Sequence, residues 1–142
     1  MIKKALYLFL ILIINQNIQA QDITGKWVTI DDTSGKKRSV VEIEKKGDEY
    51  FGKVVDMYLE PHEPTDPVCD LCSDDRKDQK VRGLEIIRNM KKDDDEYTGG
   101  DILDPENGKV YRCKLWVEDG KLMVRGYVAF FFRTQEWLPF NG

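Results

Sequence analysis

The chain has 142 residues, 26 of them acidic, 22 basic and one histidine, with a net charge of −4. Without Lys3 and Lys4, which fall in a predicted leader, 20 basic residues face 26 acidic ones, a net of −6. No basic stripe breaks that balance, which argues against nucleic acid and anionic lipid headgroups as partners.

Residues 1–20, "MIKKALYLFLILIINQNIQA", read as a secretory signal peptide: two lysines, an apolar run from Ala5 to Ile14, and a small residue at Ala20. The run is shorter than the roughly 20 residues a membrane span requires. No cysteine follows it to carry a lipid. Cleavage is expected after Ala20, leaving residues 21–142 as a single domain, periplasmic or secreted. No second apolar segment follows, so no membrane span is expected after cleavage.

The predicted elements are all strands. "TGKWVTID" (24–31), "RSVVEIEK" (38–45) and "YFGKVVDMYL" (50–59) are rich in β-branched and aromatic residues and bordered by Gly, Asp or Lys. After a long irregular segment come "GLEIIRNM" (83–90), the turn "KKDDDE", and "YTGGDIL" (97–103). Asn107-Gly108 signals a hairpin, because both residues tolerate positive φ. "VYRCKLWV" (110–117), "LMVRGYVA" (122–129) and "FFFRTQEWL" (130–138) close the chain. The last two have no turn residue between them near Ala129, so the count is eight, or seven if they form one bent strand. An antiparallel meander of about eight strands hides its edges by closing into a barrel, the alternative being an open two-sheet sandwich. Gly52, Gly99, Gly100 and Gly126 lie inside strands, where barrels place kinks and bulges. In strand 110–117, alternation puts Tyr111, Cys113, Leu115 and Val117 on the core face, and Val110, Arg112, Lys114 and Trp116 on the other. Cys113 is then a small buried hydrophobe.

Gly25-Lys26-Trp27, opening the first strand, resembles the first signature of lipocalins and fatty-acid-binding proteins. That resemblance implies a tryptophan plugging one barrel end under a basic side chain of the last strand. The matching residues are Trp27 and Arg133, with Arg125 as second choice. A T-D-Y signature and a C-terminal helix are not found. A broader match covers nearly all of the mature chain: "GKWVTIDD", "VVEIEKKGDEYFGKVV", the C-x-x-C loop, "GLEIIRNM", "GGDILDPENGKVYRCKL" and "VRGYVAFFFRTQEW". These pieces resemble a family of small exported bacterial proteins defined only as a domain of unknown function and described as lipocalin-like. The resemblance implies export and a β-barrel and carries no catalytic residues.

"PHEPTDPVCDLCSDDRKDQ" (61–79) holds His62, Cys69 and Cys72. A redox pair needs an activated thiolate, but Asp70 and the acids after Cys72 raise a thiol's pKa. A structural zinc site needs two ligand pairs, and one is present; no metal or cofactor is expected. An exported chain favours a Cys69–Cys72 disulfide, which constrains the unfolded chain by about 2 kcal/mol. Pairing either with Cys113 would contribute about 4 kcal/mol.

With its one histidine in a proline-rich loop, acid–base hydrolysis has a single possible base, and no enzyme is expected. Asp101 lies inside a strand and is placed across from Arg125 or Arg133, as a buried ion pair or as an anchor for an anionic headgroup. Phe130, Phe131 and Phe132 must put a ring on each strand face, leaving an outward apolar patch suited to a homodimer or an envelope protein, unless Phe140 covers it. The expected function is binding of a small apolar or amphipathic, lipid-like ligand inside the barrel. The alternative is a filled barrel serving as an interaction or structural module of the envelope.

Overall fold

A computed structural model describes residues 22–142; the predicted signal peptide lies outside the described residues. The strands are β1 (Gly25–Ile30), β2 (Lys37–Lys46), β3 (Glu49–Met57), β4 (Glu85–Asp93), β5 (Glu96–Thr98), β6 (Asp101–Asp104), β7 (Lys109–Glu118), β8 (Lys121–Val128) and β9 (Phe131–Pro139). Each pairs antiparallel with its neighbours. β9 returns to β1, β4 closes on β3, and β5 and β6 share the place between β4 and β7. The result is a closed eight-stranded antiparallel barrel, in which no sheet edge among the described residues is left unpaired.

Three points refine the sequence reading. "KKDDDE" is mostly strand: Lys91, Lys92 and Asp93 pair with Thr98, Tyr97 and Glu96. Only Asp94 and Asp95 turn, with Asp94 at φ 55°. β8 and β9 are separate strands joined at Ala129-Phe130, where Val128 pairs with Phe131 and Ala129 adopts φ 51°. An alanine rarely takes that conformation, so nothing in the sequence marks the turn. At the Asn107-Gly108 turn only Gly108 has positive φ, and a Cβ there would also stand 2.0 Å from the Leu71 carbonyl oxygen. The glycine is needed because the long loop packs against the turn.

Gly99-Gly100 makes a one-residue bulge. Tyr97 pairs with Leu115, whereas Asp101 pairs with Arg112, so two strands that should step together slip by one. Gly99 has φ 83°, and a Cβ on Gly100 would lie 2.1 Å from the Arg88 carbonyl oxygen. Past a bulge the inward and outward sets exchange. Ile102 therefore shares a face with inward Ile87 and Tyr111, and Asp101 points outward with Arg88 and Arg112.

The interior is filled. Ile43, Ile87, Met90, Tyr97, Leu115 and Leu122 are at most 1% exposed, and Trp27, Tyr50 and Trp137 join the same cluster. Tyr50 and Tyr97 meet edge to face, with ring centroids 4.8 Å apart. Cys113 is buried on this inner face, where burial, with the Asp101 charge adding to it, pushes its thiol up to about 12.

Candidate functional site: the loop end of the barrel

The two barrel ends are built differently. One carries three two-residue hairpins (47–48, 94–95 and 119–120) together with the entry into β1 and the exit from β9. Ile23, fully buried, plugs this end, and its carbonyl accepts a hydrogen bond from Trp27 Nε1 at 2.9 Å. The other end carries the 31–36 turn, the long loop 58–84, the 105–108 turn and the β8–β9 tip.

Trp27 is therefore at one end, and Arg133 is at the other. Trp27 pairs with Pro139, six residues along β9 from Arg133, about 20 Å at strand rise. The Arg133 side chain is 70% exposed, and its Nε lies 2.7 Å from Asp32 Oδ2. No basic side chain among the described residues lies across the Trp27 ring; the buried indole is held by Ile23 instead. Arg125 faces outward on β8. Its guanidinium sits 4.8 Å from the Trp116 ring and 4.1 Å from the Phe132 ring, and its Nε donates to Thr134 Oγ1 at 2.9 Å. Such cation–π contacts contribute about 0.5–1 kcal/mol each at exposed positions. Asp101 meets neither arginine: it points outward between Arg88 and Arg112, and β7 separates it from β8 and β9. Its Oδ1 is buried without a hydrogen-bond partner.

Cys69 and Cys72 are joined in a disulfide, with Cα atoms 5.4 Å apart. The loop behind it carries its own short ladder: Cys69 N–H donates to Gln79 O, Asp78 N–H to Cys69 O, and Val81 N–H to Pro67 O. Leu103 points outward by alternation with Ile102 yet is only 2% exposed. The disulfide turn, with Cys69 Sγ 3.8 Å from Pro105 O, belongs to the same buried cluster and supplies the cover. The loop thus seals the barrel wall at this end.

Two arginines that the sequence reading missed fix the loop. Arg76 is 3% exposed; it donates to Asp74 and, through Nη1, to Glu85 O at 2.8 Å. The guanidinium and the Arg76 backbone N–H hold the Asp74 carboxyl down at about 2. Arg38, at the start of β2, binds Glu63 of the loop at 3.0 Å and Glu106 of the β6–β7 turn at 2.8 Å. β2 and β6 lie far apart around the barrel, so this pair of contacts spans its mouth. These partners are separated by 25 and 68 residues, and no local pattern announces them.

The large apolar side chains exposed among the described residues all lie at this end. Tyr58, Val68 and Leu71 come from the loop, Val110 from the start of β7, and Val128 with Phe130, Phe131 and Phe132 from the β8–β9 tip. Phe130 is 104% exposed, Phe131 67% and Phe132 56%. At 150–250 Å² per aromatic side chain, the three rings present roughly 400–500 Å², as large as the biggest patch on an ordinary monomer. Phe140 does not cover them. Its N–H donates to Lys26 O at the opposite end, where its ring lies 5.9 Å from Lys26 Nζ.

Residues 25–138 match the family profile described as "uncharacterized protein conserved in bacteria (DUF2147)". No curated protein sequence matches the chain. Among solved structures, the chain is similar to protein HP1028 of Helicobacter pylori, described as belonging to the lipocalin family. The TM-score is 0.70 with 14% identity, over 84% of each chain. That likeness concerns the fold alone. The chain belongs to the DUF2147 family of bacterial proteins and folds as a lipocalin-like β-barrel.

Proposed function

We propose that this protein is an exported, non-enzymatic binding module that works through the outside of its loop end, with the barrel as a solid scaffold. The observation that carries this reading is the contrast between a filled interior and exposed apolar side chains gathered at one end. A barrel of eight strands can hold a small ligand or be packed by its own side chains. Here large side chains occupy the inward positions, which favours the second use. The disulfide supports an oxidising compartment, and the leader-like N-terminus supports export. The occupant of the rim is a protein surface, a second copy or another envelope protein. Such a surface buries the aromatic tip as anchors in the manner of interface hot spots.

The test places a photo-crosslinking residue at position 130 in the full chain expressed in cells, with position 94, at the opposite end, as control. A discrete adduct from position 130 alone, lost on Phe131→Ser/Phe132→Ser substitution, supports the proposal. An adduct of twice the chain mass identifies self-association. No adduct at 130, or the same pattern from 94, overturns it.

A further inference from the structure

Two of the depressions on the outer surface differ in how their charges are matched. The smaller, about 380 Å³, lies beside the stapled loop among Arg76, Lys80, Arg82 and Arg88. Each of these cations is already matched: Arg76 by Asp74, Lys80 by Asp66, Arg82 by Asp56, and Arg88 by Asp75 and Glu85. The larger, about 580 Å³, lies on the outer wall where the Gly99-Gly100 bulge opens beside β7 and β8. Its charged lining residues are Arg112 and Lys114. Arg112 makes no ion pair among the described residues, and its register partner Asp101 leaves Oδ1 unbonded rather than reaching it. Lys114 has Glu96 at 3.3 Å.

The groove is also preformed. Its floor is the bulge, locked by the positive φ of Gly99 and by the absence of any room for a side chain at Gly100. One wall is Tyr127, whose ring lies 6.2 Å from that of Phe132, which Arg125 holds in turn at 4.1 Å. The volume falls in the range of small-molecule sites, which combine apolar walls with a few fixed polar groups. An uncommitted guanidinium matches the two oxygens of a carboxylate or phosphate in a fork.

We propose that this groove binds a small ligand carrying an oxyanion, a carboxylate or a phosphate, on a body that lies against Tyr127. Arg112 takes the oxyanion, Lys114 adds charge and Thr98 offers a hydroxyl beside it. This site adjoins the aromatic rim through Tyr127 and Ala129 but does not depend on the rim's having a partner.

The test follows backbone amides by NMR in the full mature chain at fixed ionic strength, titrated with inorganic phosphate, with glucuronate, and with glucose as the neutral control. Saturable shifts confined to residues 98–100 and 112–114 are expected with one or both anions and not with glucose. Which anion binds identifies the headgroup. Arg112→Gln should weaken binding at least tenfold, and Lys114→Gln severalfold, while Arg82→Gln in the other depression leaves it unchanged. The amide spectra themselves report whether each variant is folded. No saturable shift, equal shifts with glucose, or undiminished binding in both groove variants overturns the proposal.

Discussion

Leu115→Ala measures directly whether the barrel is solid. Leu115 is fully buried on β7, paired with Tyr97 on one side and Val124 on the other. The substitution removes three carbons, a transfer loss of about 2.4 kcal/mol at about 0.8 kcal/mol each. An unrelaxed cavity of about 80 Å³ adds up to about 2 kcal/mol at 24 cal/mol per Å³. With partial collapse the cost should be about 3–4 kcal/mol, within the usual 5–15 kcal/mol stability of a domain. The assay is urea unfolding, in which the midpoint falls while the m-value stays the same. Thermal unfolding should drop by roughly 10 °C for a domain of this size. The variant should also gain binding of xenon, a probe small enough for such a cavity, which the parent lacks. A cost below about 1 kcal/mol at unchanged m, or xenon binding by the parent, would show room around Leu115 and refute the filled-barrel argument.

Three further outcomes are expected. Cys69→Ala/Cys72→Ala should lose about 2 kcal/mol, and hydrogen exchange should accelerate in residues 67–81 while the amides of β7 and β8 stay protected. Uniform acceleration across the barrel would contradict the local role assigned to the staple. Tyr97→Phe removes a buried hydroxyl that has no hydrogen-bond partner and should be neutral or stabilising by about 1 kcal/mol; a clear destabilisation in urea would mean the hydroxyl is bonded after all. Asp74 is depressed in the folded state, to about 2 from 3.8. Its contribution is therefore complete above about pH 4 and is lost as pH falls towards 2. Loop amides followed by NMR should hold their positions at pH 4 and move below it. The same acid transition in Asp74→Asn would rule out this carboxylate as its source.

Strand identity was readable because each run is rich in β-branched and aromatic residues between turn residues, and where a run alternates its buried face was readable too. Strand 110–117 shows it best, with Cys113 and Leu115 buried where alternation places them. The Cys69–Cys72 bond was readable from spacing and compartment. The β8–β9 turn was not, because Ala129 reaches positive φ against its own preference and tertiary pairing must impose it. The partner of Trp27 was misread for a related reason. The basic residues of β9 were sought by resemblance, but position along the strand puts Arg133 at the far end, beside Asp32. Arg125, read as a substitute, turned out to stack on Trp116 and Phe132 on the outer wall. Of the candidate site, the Phe130–Phe132 patch was visible because three adjacent rings cannot share one face. Arg112 and Arg38 were not singled out, because their significance lies in what does or does not face them across space.

The sequence by itself determined an all-β chain, its strand order, the stapled loop and an aromatic tip, since all of these follow from local periodicity and covalent spacing. Tertiary structure decided three things. It set which way Asp101 points, because one extra residue at Gly99-Gly100 exchanges inside for outside along β6. It set whether the barrel is hollow, because that depends on side chains from opposite strands meeting across the interior. It also gathered the exposed apolar residues of three separate segments at one end, through strand directions that only closure of the barrel fixes.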